Sequence, residues 1–370
     1  MVYIRHTKFS SDPFGDGGDK RSAQIKELLH NSRINYIDDS FKTQRISWRK
    51  ETINFFKALK FIGHLINLTN PWSFNEIWAR IKKVTLLLPL TSKYNLKENR
   101  VFLWESIYES NYVLPLLLKS PKTYIIGLPH NLESLIDSKD KRNSYFKKFN
   151  GLKNEFNGLM LCDSIFTISH EECWLLRLFG FNAYYLPYYP PKEVEVLMLN
   201  IREERQTRTN GPIKKVLLLG SAANPPTYDG MMEIITFYQE YKPDTVFNIA
   251  GYQTEKLKKY IPDESQMILS GTLSIDRLKE VMIDTDVALI HQTPSTGAVT
   301  RVTEMLIAGI PIFINDNASK DTYNLEGIKI YYNFDQLHNY LQNEMTIMPP
   351  IPEKKVNLDK MFIDNILNRD

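Results

Sequence analysis

Cysteine is scarce in this chain, and its scarcity excludes several classes of protein. Two of the 370 residues are cysteines, Cys162 and Cys173. They have no metal-binding or redox spacing and cannot form a disulfide framework, so we expect two buried thiols in a reducing compartment. The sequence therefore predicts a cytoplasmic protein.

Long apolar runs are lacking as well. The longest, "VTLLLPL" and "YVLPLLL", are far shorter than the ~20 residues of a membrane-spanning helix. The chain also opens without a signal-peptide pattern. We expect a protein that is soluble or attached peripherally to the inner face of a membrane.

An excess of one charge is lacking overall but is present locally. The formal net charge is +3, whereas residues 42–100 include twelve basic side chains and three acidic ones. Residues 42–97 interleave Trp and Phe with Lys and Arg at helical spacing, which predicts an inserted helical region. Two interpretations remain open: a cap whose aromatic residues face the core, or helices that lie on an anionic membrane surface. No recognition motif supports nucleic-acid binding.

The composition is that of a globular protein, with 43% hydrophobic and 24% charged residues. A chain of this length exceeds one ordinary core and predicts two domains. The segment "AYYLPYYPPKEVEV" contains three prolines in close succession, which prevent a helix and stiffen the chain into a connector. We therefore predict an N-terminal domain over 1–188, a C-terminal domain over 195–350, and a final segment over 351–370. That segment includes a helix over 357–368, which can pack back on the N-terminal domain.

The second half alternates short β-branched runs with amphipathic helical ones. The runs have no two-residue alternation, as expected for a parallel sheet covered by helices on both faces. The first half repeats this pattern less regularly, with strands in "VYIRH", "RVFLWES", "KTYIIGLPHN" and "CDSIFTIS". The fold class is therefore α/β, with doubly wound Rossmann-like domains. In the second half we predict strands near 215–220, 245–250, 266–270, 286–291 and 310–315.

Ligands of open parallel sheets bind beyond the carboxyl ends of the strands, at helix N-termini that attract anions. After the strand 286–291 comes "QTPSTGAVTRVTEMLIAG", whose small residues let backbone amides near 297–299 approach a phosphate. Ser295 or Thr296 is suited to cap the helix, with Arg301 in its first turn and Glu304 near the second. The alternative is an ordinary i, i+3 ion pair on a solvated face, contributing only about 0.2–0.5 kcal/mol.

The segment "ILSGTLSIDRLKEVMIDTDVALIHQTPSTGAVTRVTEMLIAGIPIFIND" resembles the donor-binding half of retaining GT-B glycosyltransferases of the group 1, or family 4, type. These proteins share the run R-x-x-E-x-(L/M)-x-A-G-x-P. The resemblance implies two Rossmann-like domains facing across a cleft. It also implies that Glu304 receives the ribose hydroxyls of a nucleotide and that Arg301 pairs with its diphosphate. The loop amides of Thr296, Gly297 and Ala298 would hold the same diphosphate.

Three other segments are similar to this family in the same order. "TYIIGLPHN" places His130 near the reaction centre, "LCDSIFTISHEECW" closes the first domain, and "VLLLGSAANPP" puts Gly220 and Ser221 at a strand end. In the N-terminal loop "GDGGDK", Gly17 and Gly18 would approach the diphosphate or the acceptor. The alternatives are a satisfied buried histidine at 130 and an ordinary β-to-α turn at 17–18.

The resemblance implies transfer of a hexose-type sugar from a nucleoside diphosphate sugar to a hydroxyl of a glycan, polysaccharide or lipid-linked acceptor, with retention. No permanently bound cofactor or metal is expected. The chain departs from the family at Thr296, where many members carry a further Glu, and in "GSAANPPTYDG", which has no Lys. A catalytically silent scaffold subunit of a polysaccharide-assembly complex is therefore the alternative function. A third function, that of a nucleotide-sugar epimerase, has no support, because the sequence offers no pair of acid and base candidates for it.

Overall fold

The computed structural model describes residues 1–40, 98–105, 107–108, 111–136, 144–208, 211–262 and 265–368, with isolated positions between 57 and 88. Helices and strands are numbered below in chain order over these residues. The inserted region predicted at 42–97, including its proposed membrane surface, lies almost entirely outside the described residues.

The chain forms two compact units. The first comprises Met1–Ser10, Ile25–Pro187 and Val356–Asp370, and the second comprises Ser11–Gln24 and Tyr188–Lys355. The main change of unit falls in the proline-rich connector. The prediction placed residues 11–24 in the N-terminal domain, whereas they belong to the second unit, where Lys20 forms an ion pair with Glu304.

The first unit contains a parallel sheet of six described strands in the order β2-β1-β3-β4-β5-β6. Every residue of the central strand β3 is buried, including Arg100 at its start, and the other four are apolar, as expected for a parallel strand covered on both faces. The strands are β1 (Val2–Thr7), β2 (Tyr36–Ser40), β3 (Arg100–Trp104), β4 (Thr123–Gly127), β5 (Ser164–Thr167) and β6 (Ala183–Tyr185).

Helices accompany this sheet, and helix α1 begins in the second unit and ends in the first. The helices are α1 (Gly17–Asn31), α2 (Leu114–Leu118), α3 (Ser144–Leu159), α4 (His170–Leu178) and the C-terminal α10 (Val356–Leu367). In α10, Phe362 is fully buried and makes an edge contact with Phe166 at 5.0 Å between ring centroids. Asn365 accepts a hydrogen bond from Ser164 at 2.8 Å. The C-terminal helix thus packs within the first unit.

The second unit contains a parallel sheet in the order β12-β11-β10-β7-β8-β9. Renumbered within the unit, this is the Rossmann order 3-2-1-4-5-6. The strands are β7 (Lys215–Leu219), β8 (Val246–Ala250), β9 (Met267–Gly271), β10 (Val287–Ile290), β11 (Ile312–Asn315) and β12 (Ile328–Tyr331). The helices are α5 (Lys192–Arg205), α6 (Pro225–Tyr241), α7 (Ile275–Asp284), α8 (Thr300–Ile307) and α9 (Phe334–Asn343).

Helices cover both faces of this second sheet, as the sequence predicts. Successive residues of β7 point to opposite faces. Val216 and Leu218 pack in one core with Ile234 of α6. Leu217 packs in the other core with Met305 of α8. The predicted α/β fold class, with two Rossmann-like sheets, is confirmed.

Two arginines of α5 bind the C-terminal ends of other helices. Arg205 donates to the carbonyl oxygens of Met282 (2.7 Å), Ile283 (3.0 Å) and Gly309 (3.3 Å). Arg202 donates to the carbonyl of Leu306 at 3.1 Å. Cations are favourable at helix C-termini, where carbonyls lack intrahelical donors. Helices α7 and α8 are therefore fixed by charged side chains of α5.

The two cysteines are unpaired thiols in the first unit. Cys173 is 1% exposed and Cys162 is half-buried. Burial raises the pKa of both thiols, which makes them poor nucleophiles and metal ligands.

No described helix combines the length and the apolar character needed to cross a membrane. Across the same residues, no group of three or more His, Cys, Asp or Glu side chains is placed to hold a metal ion.

Candidate functional site

The order of the second sheet reverses between β7 and β10, which is where ligands of doubly wound sheets bind. Strand β7 ends at Leu219 and β10 ends at Ile290. The residues that follow these two ends are those that the sequence singled out.

A buried polar network fixes the chain beyond β10. The Gln292 amide N–H donates to Asn315 Oδ1 at 3.1 Å, and Asn315 Nδ2 donates back to the Gln292 carbonyl at 2.8 Å. Gln292 Nε2 also donates to Thr227 Oγ1 at 3.0 Å, at the start of α6. The sequence analysis missed these three residues because nothing local in the sequence shows which side chains at neighbouring strand ends will pair.

Gly220 occupies a crowded position directly after β7. A Cβ atom there would lie 2.6 Å from Thr227 Cγ2 and 3.3 Å from Arg301 Nη1. The Gly220 N–H donates to Ala250 at 3.0 Å, and Ser221 Oγ accepts from Ala223 N–H at 3.2 Å. The absent side chain therefore leaves space for Arg301 beside the end of β7.

Arg301 lies in the first turn of α8, as predicted from the sequence. Its Nε is buried without a hydrogen-bond partner. Burial lowers the pKa of Arg301 to about 10, although the charge of Glu304 acts in the opposite direction. Among the described residues, no carboxylate lies within ion-pair distance of this guanidinium. A partly buried cation with an unpartnered Nε favours a ligand of opposite charge.

Glu304 is 3% exposed and accepts two hydrogen bonds from distant parts of the sequence. Lys20 Nζ lies 2.5 Å from Oε2, and the Tyr188 hydroxyl lies 2.8 Å from Oε1. The alternative interpretation, an i, i+3 pair with Arg301 on a solvated face, is therefore wrong. Glu304 pairs with Lys20 in a buried environment and leaves Arg301 unpaired.

The loop between β10 and α8 differs from the prediction at the helix start. Helix α8 begins at Thr300, and its N-cap residue is Val299, which provides no side-chain cap. Gly297 has φ +79° and interrupts the helical path, so neither Ser295 nor Thr296 can cap the helix. Thr296, Gly297 and Ala298 thus form the loop that leads to the first turn of α8, where the Val302 N–H donates to the Val299 carbonyl at 3.0 Å.

A second cation lies against this loop. Lys320 Nζ donates to the Ser295 carbonyl at 2.5 Å and to the Asn317 carbonyl at 2.6 Å. The lysine therefore holds the loop before α8 to the segment that follows β11.

In the N-terminal glycine turn, the side chain of Asp16 caps the start of α1. Asp16 Oδ1 accepts from the Gly18 N–H at 2.8 Å and from the Asp19 N–H at 3.1 Å. A Cβ atom on Gly17 would meet Thr300 Oγ1 at 3.5 Å, an ordinary contact. The Asp16 carboxylate thus caps the turn through the Gly18 and Asp19 amides, and the diphosphate or acceptor contact at Gly17 and Gly18 stays a prediction.

In the first unit, His130 follows β4 and belongs to a buried ionic cluster. Its Nε2 lies 3.2 Å from Glu105 Oε1, and Arg5 Nε lies 2.7 Å from Glu105 Oε2. Burial raises the pKa of Glu105, but Arg5 and His130 outweigh it and hold the pKa at about 2. The His130 ring also stacks on Phe9, with centroids 4.3 Å apart. The His130 ring is thus fixed by Glu105 and Phe9 at the carboxyl edge of the sheet.

Two glutamates lie together beyond His130. Glu155 accepts from the backbone N–H groups of Glu133 (3.0 Å) and Ser134 (3.1 Å). Burial and the charge of Glu155 raise the pKa of Glu133 to about 7, against the opposing effects of Asn131 and Lys8. A carboxyl group that titrates near neutrality can act as a general acid or base.

Glu133 makes the stability of the protein pH-dependent. Its folded-state pKa is raised, so the folded state retains a proton that the unfolded state loses between about pH 4.5 and pH 7, and stability falls as pH rises through that window. We expect Glu133→Gln to gain about 1–3 kcal/mol of stability relative to wild type at pH 8 and little at pH 4.5. Urea unfolding at both pH values measures this difference. Glu193→Gln, an exposed position on α5, serves as the control; a gain independent of pH would contradict the assignment.

The two other histidines at strand ends have structural contacts. His291 Nδ1 lies 2.5 Å from the Tyr331 hydroxyl, and its Nε2 lies 2.6 Å from Glu233 Oε2. Burial lowers the pKa of His291, despite the opposing hydrogen bond of Glu233. His170 stacks on Tyr185 at 4.0 Å between centroids. Both residues help to hold the fold.

Comparison of the sequence finds no matching family model and no matching curated protein. Comparison of the structure finds several solved proteins of low sequence identity. α,α-Trehalose 6-phosphate synthase from Burkholderia multivorans is 9% identical with a TM-score of 0.59, over 100% of this chain and 95% of that one. Anabaena HepE, solved with UDP and glucose, is 10% identical with a TM-score of 0.53, over 92% and 89% of the two chains. TarM is 12% identical with a TM-score of 0.50; 78% of this chain is covered, but only 55% of TarM.

Identities this low establish the fold alone, because one fold carries many different chemistries. These matches share with the present chain two parallel sheets flanked by helices. The chain has the GT-B fold of glycosyltransferases.

Proposed function

We propose that the protein is a glycosyltransferase. It moves a hexose-type sugar from a nucleoside diphosphate sugar to a hydroxyl group of a glycan, polysaccharide or lipid-linked acceptor, with retention at the anomeric carbon. The GT-B fold supports the class of reaction, and the solved relative that holds UDP and glucose supports the class of donor.

The observation that carries the proposal is the unpaired guanidinium of Arg301. It lies at the N-terminus of α8, beside Gly220 and at the reversal of strand order. Three features there favour negative charge: the arginine, the first-turn amides and the helix dipole. A diphosphate matches all three.

Glu304 lies one turn further along α8 and is suited to receive a ribose. A carboxylate has about four acceptor sites. Lys20 and Tyr188 use one site on each oxygen. Each Glu304 oxygen therefore keeps an acceptor site for a ribose hydroxyl.

The chemical step requires stabilisation of the departing diphosphate. Arg301 and the α8 amides supply preorganised positive charge to it. The leaving phosphate can itself take the proton of the acceptor hydroxyl. We assign His130, held by Glu105, as the catalytic residue of the first unit, and we assign no metal or permanent cofactor to the reaction.

One observation favours the alternative function, a silent scaffold subunit. Helix α6 begins with Pro225 and Pro226, which have no N–H groups, so this helix offers a phosphate fewer donors than α8 does. The loop 220–224 also contains no basic side chain. A scaffold would retain the fold without binding a nucleotide.

Calorimetry with a panel of nucleoside diphosphates separates the two functions. We expect the wild type to bind at least one of them and Glu304→Ala to weaken binding about 10- to 100-fold, because two charge-assisted hydrogen bonds are lost. Glu280→Gln, an exposed glutamate paired with Arg277, is the control. Absence of binding to every nucleotide would support the scaffold. Binding unchanged in Glu304→Ala would refute only the ribose assignment.

A further inference from the structure

The first unit has a cavity at the amino edge of its sheet, opposite to the edge of His130. The cavity has a volume of about 630 Å³. Its walls include Arg100 at the start of β3, and the turn that leads into β4. The polar residues of the lining include Arg100, Lys119, Ser120, Lys122, Thr123 and Asp163. Glu105 follows Arg100 by five residues, so the two edges are roughly 17 Å apart at ~3.3 Å per residue.

Arg100 is buried in the wall of this cavity without a hydrogen-bond partner. The residue is 3% exposed, and its Nε, Nη1 and Nη2 all lack partners. Burial lowers the pKa of Arg100, and the exposed Glu98 is the carboxylate whose charge opposes this effect. Leaving a desolvated guanidinium unpaired is costly, because charged groups in protein interiors are normally both hydrogen-bonded and neutralised.

Asp163, the acidic residue of the wall, already accepts hydrogen bonds on both of its carboxylate oxygens. Asp163 Oδ1 accepts from Lys119 Nζ at 2.6 Å, and Asp163 Oδ2 accepts from the Ile125 N–H at 2.8 Å. Lys119 also donates to the Leu161 carbonyl at 3.0 Å. Asp163 and Lys119 neutralise each other, so Asp163 does not compensate the charge of Arg100.

Hydroxyl groups complete the wall. Ser120 Oγ and Thr123 Oγ1 lie 2.8 Å apart across the turn. The Arg100 backbone is fixed in the sheet by its N–H bond to the Lys122 carbonyl at 2.9 Å. The strand thus fixes the backbone of Arg100 at the edge of the cavity.

We propose that this cavity binds a phosphate-type oxyanion through the guanidinium of Arg100. A planar fork of N–H donors matches phosphate oxygens in pairs, and hydroxyl groups and a lysine are common further partners of phosphate. The anion is either a free phosphate or phosphate ester, or the headgroup of an anionic lipid. The site is separate from the donor site of the second unit and does not depend on the proposed glycosyl transfer.

Titration calorimetry with inorganic phosphate and pyrophosphate tests the proposal on the full chain. We expect Arg100→Met to weaken binding at least tenfold, and Arg277→Met, which removes an exposed arginine of the second unit, to change it less than twofold. Arg100→Lys keeps the charge but loses the fork, and should weaken binding by an intermediate factor. If Arg100→Met does not fold, the anion affinity of Arg100→Lys tests the proposal instead: weaker binding than wild type supports it, and unchanged binding contradicts it.

Binding at Arg301 is distinguished by repeating the titrations in Arg301→Gln. Anion binding that survives Arg301→Gln and is lost in Arg100→Met supports the proposal. Binding that is lost in Arg301→Gln and unchanged in Arg100→Met overturns it for free anions.

Flotation with vesicles distinguishes the lipid source. If the ligand is a headgroup, the protein should float with phosphatidylglycerol vesicles but not with phosphatidylcholine vesicles, and Arg100→Met should abolish flotation. Vesicle binding that is unaffected by Arg100→Met, together with no Arg100-dependent binding of either free anion, would overturn the proposal.

Discussion

Replacing Arg301 by glutamine is expected to weaken nucleoside diphosphate binding about 10- to 150-fold. Hydrogen bonds to charged groups contribute about 1.5–3 kcal/mol, and a diphosphate at the α8 N-terminus would use this guanidinium directly. Calorimetry on the purified variants measures the change. Arg301→Lys should recover part of the affinity, because it restores the charge without the fork.

The same substitution should have the opposite effect on the unliganded protein. The Arg301 Nε is buried without a partner, so removing the charge relieves a desolvation cost. We expect the Tm of ligand-free Arg301→Gln to equal or exceed that of wild type. A variant that loses both stability and affinity would show that Arg301 serves the packing of α8 and not the ligand.

Replacing Arg5 by methionine is expected to destabilise the first unit by about 3–5 kcal/mol. Both Arg5 and Glu105 are at most 1% exposed, and removal of one partner leaves an uncompensated buried charge. Denaturant unfolding of the variant measures the loss. The double variant Arg5→Met, Glu105→Leu should recover most of it, because apolar replacement of a buried ion pair is often nearly neutral.

The pH dependence of Arg5→Met follows from the pKa of Glu105. In wild type this pKa is lowered to about 2, so the carboxylate adds stability that is present above about pH 4.5 and is lost as pH falls toward 2. Without Arg5, burial raises the pKa of Glu105, and acid then relieves the buried charge. The stability gap between wild type and variant should therefore narrow from pH 7 to pH 4. A gap that is constant with pH would indicate lost packing instead.

The sequence predicted the second sheet well because its strands are apolar runs bounded by turn residues. The observed strands β7, β8 and β10 lie within two residues of the predicted ranges at each end. Strands β2 and β6 of the first sheet and β12 of the second sheet were not predicted. Strand β2 has the polar sequence YIDDS, and β6 has three residues; both lie at edges of the sheet, where little burial marks a strand.

The site was predictable where its residues are neighbours in the sequence or directly follow a strand, as Gly220 does. Arg301 and Glu304 share one helix and one family pattern, so the sequence brought them together. Lys20 and Tyr188 contact Glu304 from 284 and 116 residues away, and no local pattern shows such pairs. The burial of Arg100 was hidden in the same way, because a basic residue at the start of a strand usually lies in solvent.

The arginines of α5 have a consequence for how the donor site acquires its affinity. Arg202 binds the carbonyl of Leu306 at the C-terminal end of α8, and Arg205 binds that of Gly309, two residues beyond this end. The helix therefore loses little conformational freedom when an anion arrives at its other end. Affinity in such a preorganised site is not reduced by the entropy of ordering the binding element. The proline-rich connector thus leads directly into α5, the helix whose arginines make α8 rigid.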